Sequence, residues 1–202
     1  MAEGPPGERT ARGAQRRAAL IEATLRIIIR QGAGGVTHRA VAAEAAASHG
    51  SVLYYFGTRD ALIHEVMQQV ARRNAETMAA YWGEIEPHAD DPRRFAELVA
   101  RHSAAQLVTD RDMGIAVYEL HLAAARDATL RAALRDWGRA YARRMEGSLR
   151  RLGSTDPQAD AAQLTNVVGG LIIGQLALPR RDFERRILRP AIERLVMGLG
   201  RQ

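Results

Sequence analysis

The chain has 202 residues, 47% of them hydrophobic, and a formal charge of +6, which places it among globular proteins of one or two small domains and excludes a disordered polyelectrolyte. It has no cysteine, so disulfides, thiolate metal sites and thiol nucleophiles are excluded. All 29 basic residues are arginine, which suits phosphate and base edges, but a lysine-free, alanine-rich chain is more simply the mark of a GC-rich coding bias; the charge permits a nucleic-acid partner without requiring one.

The first residues, Met1 to Gly13, are rich in Gly, Pro and charge and are expected to form a disordered basic arm. Arg9 and Arg12 on such an arm suit a minor groove, or are simply solvated. This N-terminus lacks the apolar core of a signal peptide, and the longest apolar run, Val167 to Leu178, contains Gln175 and is too short to span a bilayer. The expectation is a soluble, cytoplasmic protein with no membrane partner.

From Ala14 to Gln31 the positions Ala18, Ile21, Leu25, Ile28 and Ile29 predict an amphipathic helix, stopped by Gly32, Gly34 and Gly35. Thr37 then caps a helix from His38 to Ala46 with Val41, Ala42 and Ala45 on its inner face. Ala47 and Ser48 leave room only for a turn. Ser48 caps a second short helix, His49 to Phe56, in which Val52 and Phe56 fall four apart and face inward, leaving His49, Gly50, Ser51, Tyr54 and Tyr55 on the other side. Gly57 ends it and Thr58 caps the next. Two short helices joined by a tight turn have the pattern of a helix-turn-helix, whose second helix enters the major groove of DNA.

The helix after Thr58 continues through Leu62, Val66, Val70, Met78 and Tyr81 until Pro87 and the run Asp90-Asp91-Pro92. Further helical spacing covers Phe95 to Val108, Met113 to Ala125 and Leu130 to Leu152, and no segment alternates as a strand does, so the fold class is all-α. Asp156 and Pro157 open a helix in which Gly170 and Gly174, four apart, suggest a close helix crossing. A last helix, Arg181 to Gly198, is expected to be interrupted at Pro190. Two such apolar helices suggest a dimer interface through Leu164, Val168, Gly170, Leu171, Gly174, Ile187 and Leu195; the plainer alternative is that they complete the core of a monomer.

The stretch from Arg17 to Leu62, above all Thr37, Gly50, Val52, Phe56, Arg59 and Leu62 at their spacing, resembles the DNA-binding domain of the tetracycline-repressor-like (TetR) family. There are three departures from the family pattern, the first of them at two adjacent residues. Ala46 and Ala47 stand where Gly then Val is usual, Leu53 where a phosphate-touching tyrosine is usual, and Arg59 where a lysine is usual. The resemblance implies a three-helix helix-turn-helix domain over residues 14–60, then a helical ligand-binding and dimerisation domain over residues 61–202.

The DNA contacts expected are Thr37, Arg39, Ser48, His49, Gly50, Ser51, Tyr54, Tyr55 and Arg59, with His49 and Ser51 at base edges and Thr37, Tyr54, Tyr55 and Arg59 at phosphates. Membership further implies a homodimer on a palindromic double-stranded DNA operator, most simply a repressor, released by a small-molecule effector bound among the middle helices. There Gln106, Tyr118, His121, Trp137, Tyr141 and Asn166 are polar-tipped side chains in apolar surroundings. The histidines are scattered without metal-ligand spacing, and no glycine-rich phosphate loop, nucleophile elbow or metal helix is present. No metal, cofactor or catalytic residue is expected. The rival reading is an all-α interaction or enzymatic protein whose helix-turn-helix does not act as a repressor.

Overall fold

The computed structural model describes residues 6–199, and of residues 6–10 and Ala140 the backbone alone. Among these residues every regular element is helical: α1 (Pro6–Gln31), α2 (His38–Glu44), α3 (His49–Phe56), α4 (Arg59–Ile85), α5 (Pro92–Thr109), α6 (Arg111–Ala124), α7 (Ala128–Arg151), α8 (Pro157–Ala177) and α9 (Arg189–Met197). Helix α1 begins at Pro6, ahead of the expected Ala14, so residues 6–13 of the expected arm have helical backbone and Met1 to Pro5 lie outside the described residues. A proline is compatible with this start, because the first turn of a helix has no use for its missing N–H.

The chain divides into two compact units, and α4, α6 and α7 each contribute to both. One unit holds α1, α2, α3, α4 as far as Val70, and residues 119–133. Its centre is α1, which buries Leu20, Ala23, Thr24 and Ile27 besides the expected Ile21, Leu25 and Ile28. The apolar stripe is wide because α1 serves two neighbours: it packs on α2, and it is tied to α4 by Arg17 to Glu65 at 2.7 Å and by Gln69 donating to Glu22 at 2.5 Å. Thr24 is buried at no cost in hydrogen bonding, since its hydroxyl donates to the Leu20 carbonyl at 2.8 Å.

The other unit is organised on α5. Asp91 caps it by accepting from the Arg93 and Arg94 amides at 2.9 and 3.1 Å, and Pro92 stands in its first turn. Phe95, Leu98 and Val99 then meet Trp82 and Ile85 of α4, Met145 and Leu149 of α7, Leu164 and Val168 of α8, and Ile192 and Val196 of α9 in one core. The expected interruption at Pro190 takes the form of a π-helical turn, Glu184–Leu188, running directly into α9. The Arg189 amide reaches back to the Glu184 carbonyl, five residues away, and the wider turn relieves the clash a proline makes with the carbonyl four residues before it. No helix among the described residues is long and apolar enough to cross a membrane.

Phe95 has no exposed surface, whereas Val108 on the same helix is 86% exposed. Phe95→Ala is expected to cost about 3–5 kcal/mol of unfolding free energy, and Val108→Ala no more than about 0.5 kcal/mol, in urea titrations followed by circular dichroism.

Candidate nucleic-acid interface

Helix α2 starts where Thr37, in extended backbone, accepts the Ala40 amide on its hydroxyl oxygen at 3.1 Å. It ends at Glu44, short of the expected Ala46, because Ala46 turns to φ 48°. That left-handed conformation is easy for glycine and costs a residue with a Cβ about 1 kcal/mol or more. The turn thus keeps a glycine-like geometry without glycine. The Glu44 carboxylate anchors α2 to α1 by accepting from Arg26 at 2.7 Å and from Arg30, and these bonds, the Arg26 one foremost, hold its pKa below the usual carboxylate range.

Helix α3 is capped by Ser48, whose Oγ accepts the Ser51 amide at 3.1 Å, and is left through Gly57 at φ 65°. Val52 and Phe56 are buried, with the Arg17 guanidinium over the Phe56 ring, 5.3 Å from its centroid. With that side fixed, His49, Gly50, Leu53 and Tyr54 face out, Tyr54 at 82% exposure, and Ser51 is half-buried beside them. Thr37, Arg39 and Ser48 are exposed as well. The His49 ring meets the His38 ring edge-on at 5.9 Å.

Two residues expected at phosphates, Arg59 and Tyr55, also meet neighbours within the protein. The Arg59 guanidinium donates to the carbonyls of Val36 at 2.9 Å and Ala33 at 2.6 Å and lies 3.3 Å from the Asp60 carboxylate, tying the start of α4 to the short turn Ala33–Gly35 before α2. Tyr55 turns back toward α1, its hydroxyl 3.6 Å from where a Cβ on Gly13 would sit, while Tyr54 stays outside. Leu53, 43% exposed, is an outward residue absent from the expected contacts. It stands about 100° around the helix from Val52, at the border of the buried face.

Residues 20–66 match the family description "Bacterial regulatory proteins, tetR family", and residues 90–199 match "Tetracyclin repressor-like, C-terminal domain". The chain belongs to the TetR family. The HTH-type transcriptional regulator BetI of Burkholderia mallei is 32% identical over 161 residues, 79% of this chain and 78% of that relative. A TetR-family structure from Streptomyces coelicolor A3 superposes with a TM-score of 0.69 at 30% identity, covering 89% of this chain and 97% of the other. The multidrug binding protein EbrR complexed with ethidium gives 0.70 at 29% identity, covering 89% and 98%. This TetR-family chain is accordingly a transcriptional regulator with a DNA-binding helix-turn-helix.

Of the six residues expected to hold an effector, two share a cleft. Trp137 and Tyr141 of α7 line a cleft of about 120 Å³ with Arg144 and, from α4, Asn74, Met78 and Trp82. Tyr118 is committed to α8, donating to the Gly169 carbonyl at 2.8 Å, and burial pushes its hydroxyl up to about 12. Gln106 lies outside the cleft on α5, and His121 and Asn166 are exposed. The α4 wall of the cleft was open to sequence reasoning, since Asn74, Met78 and Trp82 recur every four residues on one face.

The expected dimer residues divide in the same way. Leu164 and Val168 are buried in the chain's own core, and Leu171, Ile187 and Leu195 pack against it. Gly170 and Gly174 are exposed, on a face of α8 shared with Ala162, Asn166, Ile173 and Ala177.

Ala46→Gly is expected to raise the unfolding free energy by up to about 1 kcal/mol, as relief of the left-handed Cβ outweighs the added entropy of the unfolded chain; denaturant titration measures it. Arg59→Lys keeps the charge but cannot bridge two carbonyls, and is expected to lower stability by about 1–2 kcal/mol in the same assay.

Proposed function

We propose that the chain is a homodimeric repressor that holds a palindromic operator through α3 of each copy and leaves it when a small molecule occupies the cleft between α4 and α7. The observation that carries this reading is the orientation of α3: its apolar pair is buried, its ends are capped, and His49, Gly50, Leu53 and Tyr54 form its free side. His49 and the half-buried Ser51 are suited to base edges, the Gly50 backbone to close approach, and Leu53 to the methyl group of thymine. Tyr54, Thr37, Arg39 and Ser48 are suited to phosphates; the Thr37 and Ser48 oxygens accept the helix caps and leave each hydroxyl proton to donate. Arg59 and Tyr55 support this surface from behind.

Homodimerisation is supported by the exposed face of α8, where Gly170 and Gly174 admit a close crossing and Ile173 offers exposed apolar surface. Twofold symmetry then requires half-sites about 34–36 Å apart. Effector response is supported by the cleft and by the ligand complexes of the relative EbrR, a multidrug binding protein. Helix α4 supplies a wall of that cleft and also residues of the unit that carries α3, so an effector acts on an element common to both. Coupling of this kind is worth about 1–3 kcal/mol, or about 5–150-fold in DNA affinity, and is reciprocal.

The test is fluorescence anisotropy with near-palindromic fragments from beside the chain's own gene, with sedimentation of the free protein. Salt-dependent binding of a preferred fragment by a dimer is expected, while a monomer at micromolar concentration or indifference to sequence sinks the reading. His49→Ala is expected to weaken the preferred site by about 1–3 kcal/mol and relax one base position, whereas Tyr54→Phe weakens all fragments alike.

A further inference from the structure

The cleft between α4 and α7 combines three properties that restrict what it can hold. Its walls are aromatic, with Trp82, Trp137 and Tyr141, and Met78 adds a thioether. Its volume, about 120 Å³, suits a single ring: a dry cavity of about 150 Å³ admits benzene, and drug-sized ligands take about 300–1,000 Å³. No lining residue is acidic, and the one charged lining residue is Arg144. The Arg144 guanidinium is exposed and makes no ion pair or hydrogen bond with another described residue.

Charge therefore discriminates between ring-sized ligands. A cation gains from the aromatic faces, but it sits beside Arg144 with no carboxylate in the lining to offset the repulsion. An anion meets the guanidinium, which pairs with a carboxylate through two parallel N–H donors. The Tyr141 hydroxyl makes no hydrogen bond to another described residue, and burial pushes it up to about 12, so it enters the cleft as a neutral donor and adds no negative charge. Asn74 supplies a further amide.

Resting on the effector reading above, we propose that the cleft selects a small aromatic carboxylate, its ring against Trp82, Trp137 and Tyr141 and its carboxylate on Arg144.

Both tryptophans of the chain line this cleft, so intrinsic tryptophan emission reports its occupancy without any DNA. Titration of the full chain with benzoate, benzamide and benzyltrimethylammonium compares one ring carrying negative, no and positive charge. The expected result is a saturable change with benzoate at a dissociation constant at least about tenfold below those of the other two. Arg144→Gln, at an exposed side chain, is expected to bring benzoate down to the level of benzamide, with the circular dichroism spectrum unchanged. Binding of the cation as tight as that of benzoate, no saturable change with benzoate, or an unaltered benzoate constant in Arg144→Gln overturns the proposal. Anisotropy with operator DNA, run in parallel, separates the two readings. Charge selection without release of DNA supports the proposal and removes the effector role; DNA binding without charge selection overturns the proposal and leaves the regulator standing.

Discussion

Val52 and Phe56 lie about one helical turn apart with both side chains buried, and this pair decides which way α3 faces. At about 100° per residue, burying positions 52 and 56 turns 50 and 54 outward and leaves 53 at the border of the buried face, while His49 is exposed because it stands in the first turn of the helix. Everything around the pair defends that choice. Ser48 and Gly57 bound the helix, Arg17 covers the Phe56 ring while paired to Glu65, and Arg59 ties the start of α4 to the turn before α2. The outward side chains make few contacts of their own. Their aim depends on hydrophobic burial beneath them and on backbone carbonyls to which Arg59 donates.

Much of this was legible in the sequence where independent local signals coincide. The bounds of α3 follow from a capping serine, an apolar pair at helical spacing and a glycine, all within ten residues. Other features depend on partners far away in the chain. The acceptors of Arg59 are carbonyls 23 and 26 residues earlier, so no local pattern distinguishes an arginine that meets phosphate from one that braces a turn. The start of α1 was hidden because glycine and proline composition suggests an arm, although Pro6 is compatible with a helix start. Choosing polar-tipped residues one by one picks out Trp137 and Tyr141, which share the α4–α7 cleft, together with Tyr118, whose hydroxyl is bound to Gly169, and the exposed His121 and Asn166, which lie outside it. The face of α4 that supplies the other wall had been read only as core spacing.

Helix α8 shows how one element answers two demands. From Val167 to Ala177 its only polar side chain is Gln175, so it has no face suited to water, and apolar surface on all sides is the mark of a helix covered all round. Leu164 and Val168 face the chain's own core, while Gly170, Ile173 and Gly174 do not. Under the homodimer reading the second copy covers what the subunit leaves bare. On that reading, residues of this helix that look interchangeable in a hydrophobicity profile answer to different partners, and a substitution that spares folding need not spare assembly.

The π-helical turn before α9 also fixes a register. An α-helix that takes in one extra residue swells locally into such a turn, and the residues beyond it keep the bearings they would have had without the insertion. Ile192 and Val196 reach the α5 core from beyond Glu184–Leu188. Removing a single residue from that turn would restore regular winding with both side chains still toward Phe95 and Leu98, whereas a residue removed from the start of α9 would swing them by about 100° around the helix axis. The turn thus tolerates the loss of a residue that the regular winding of α9 does not.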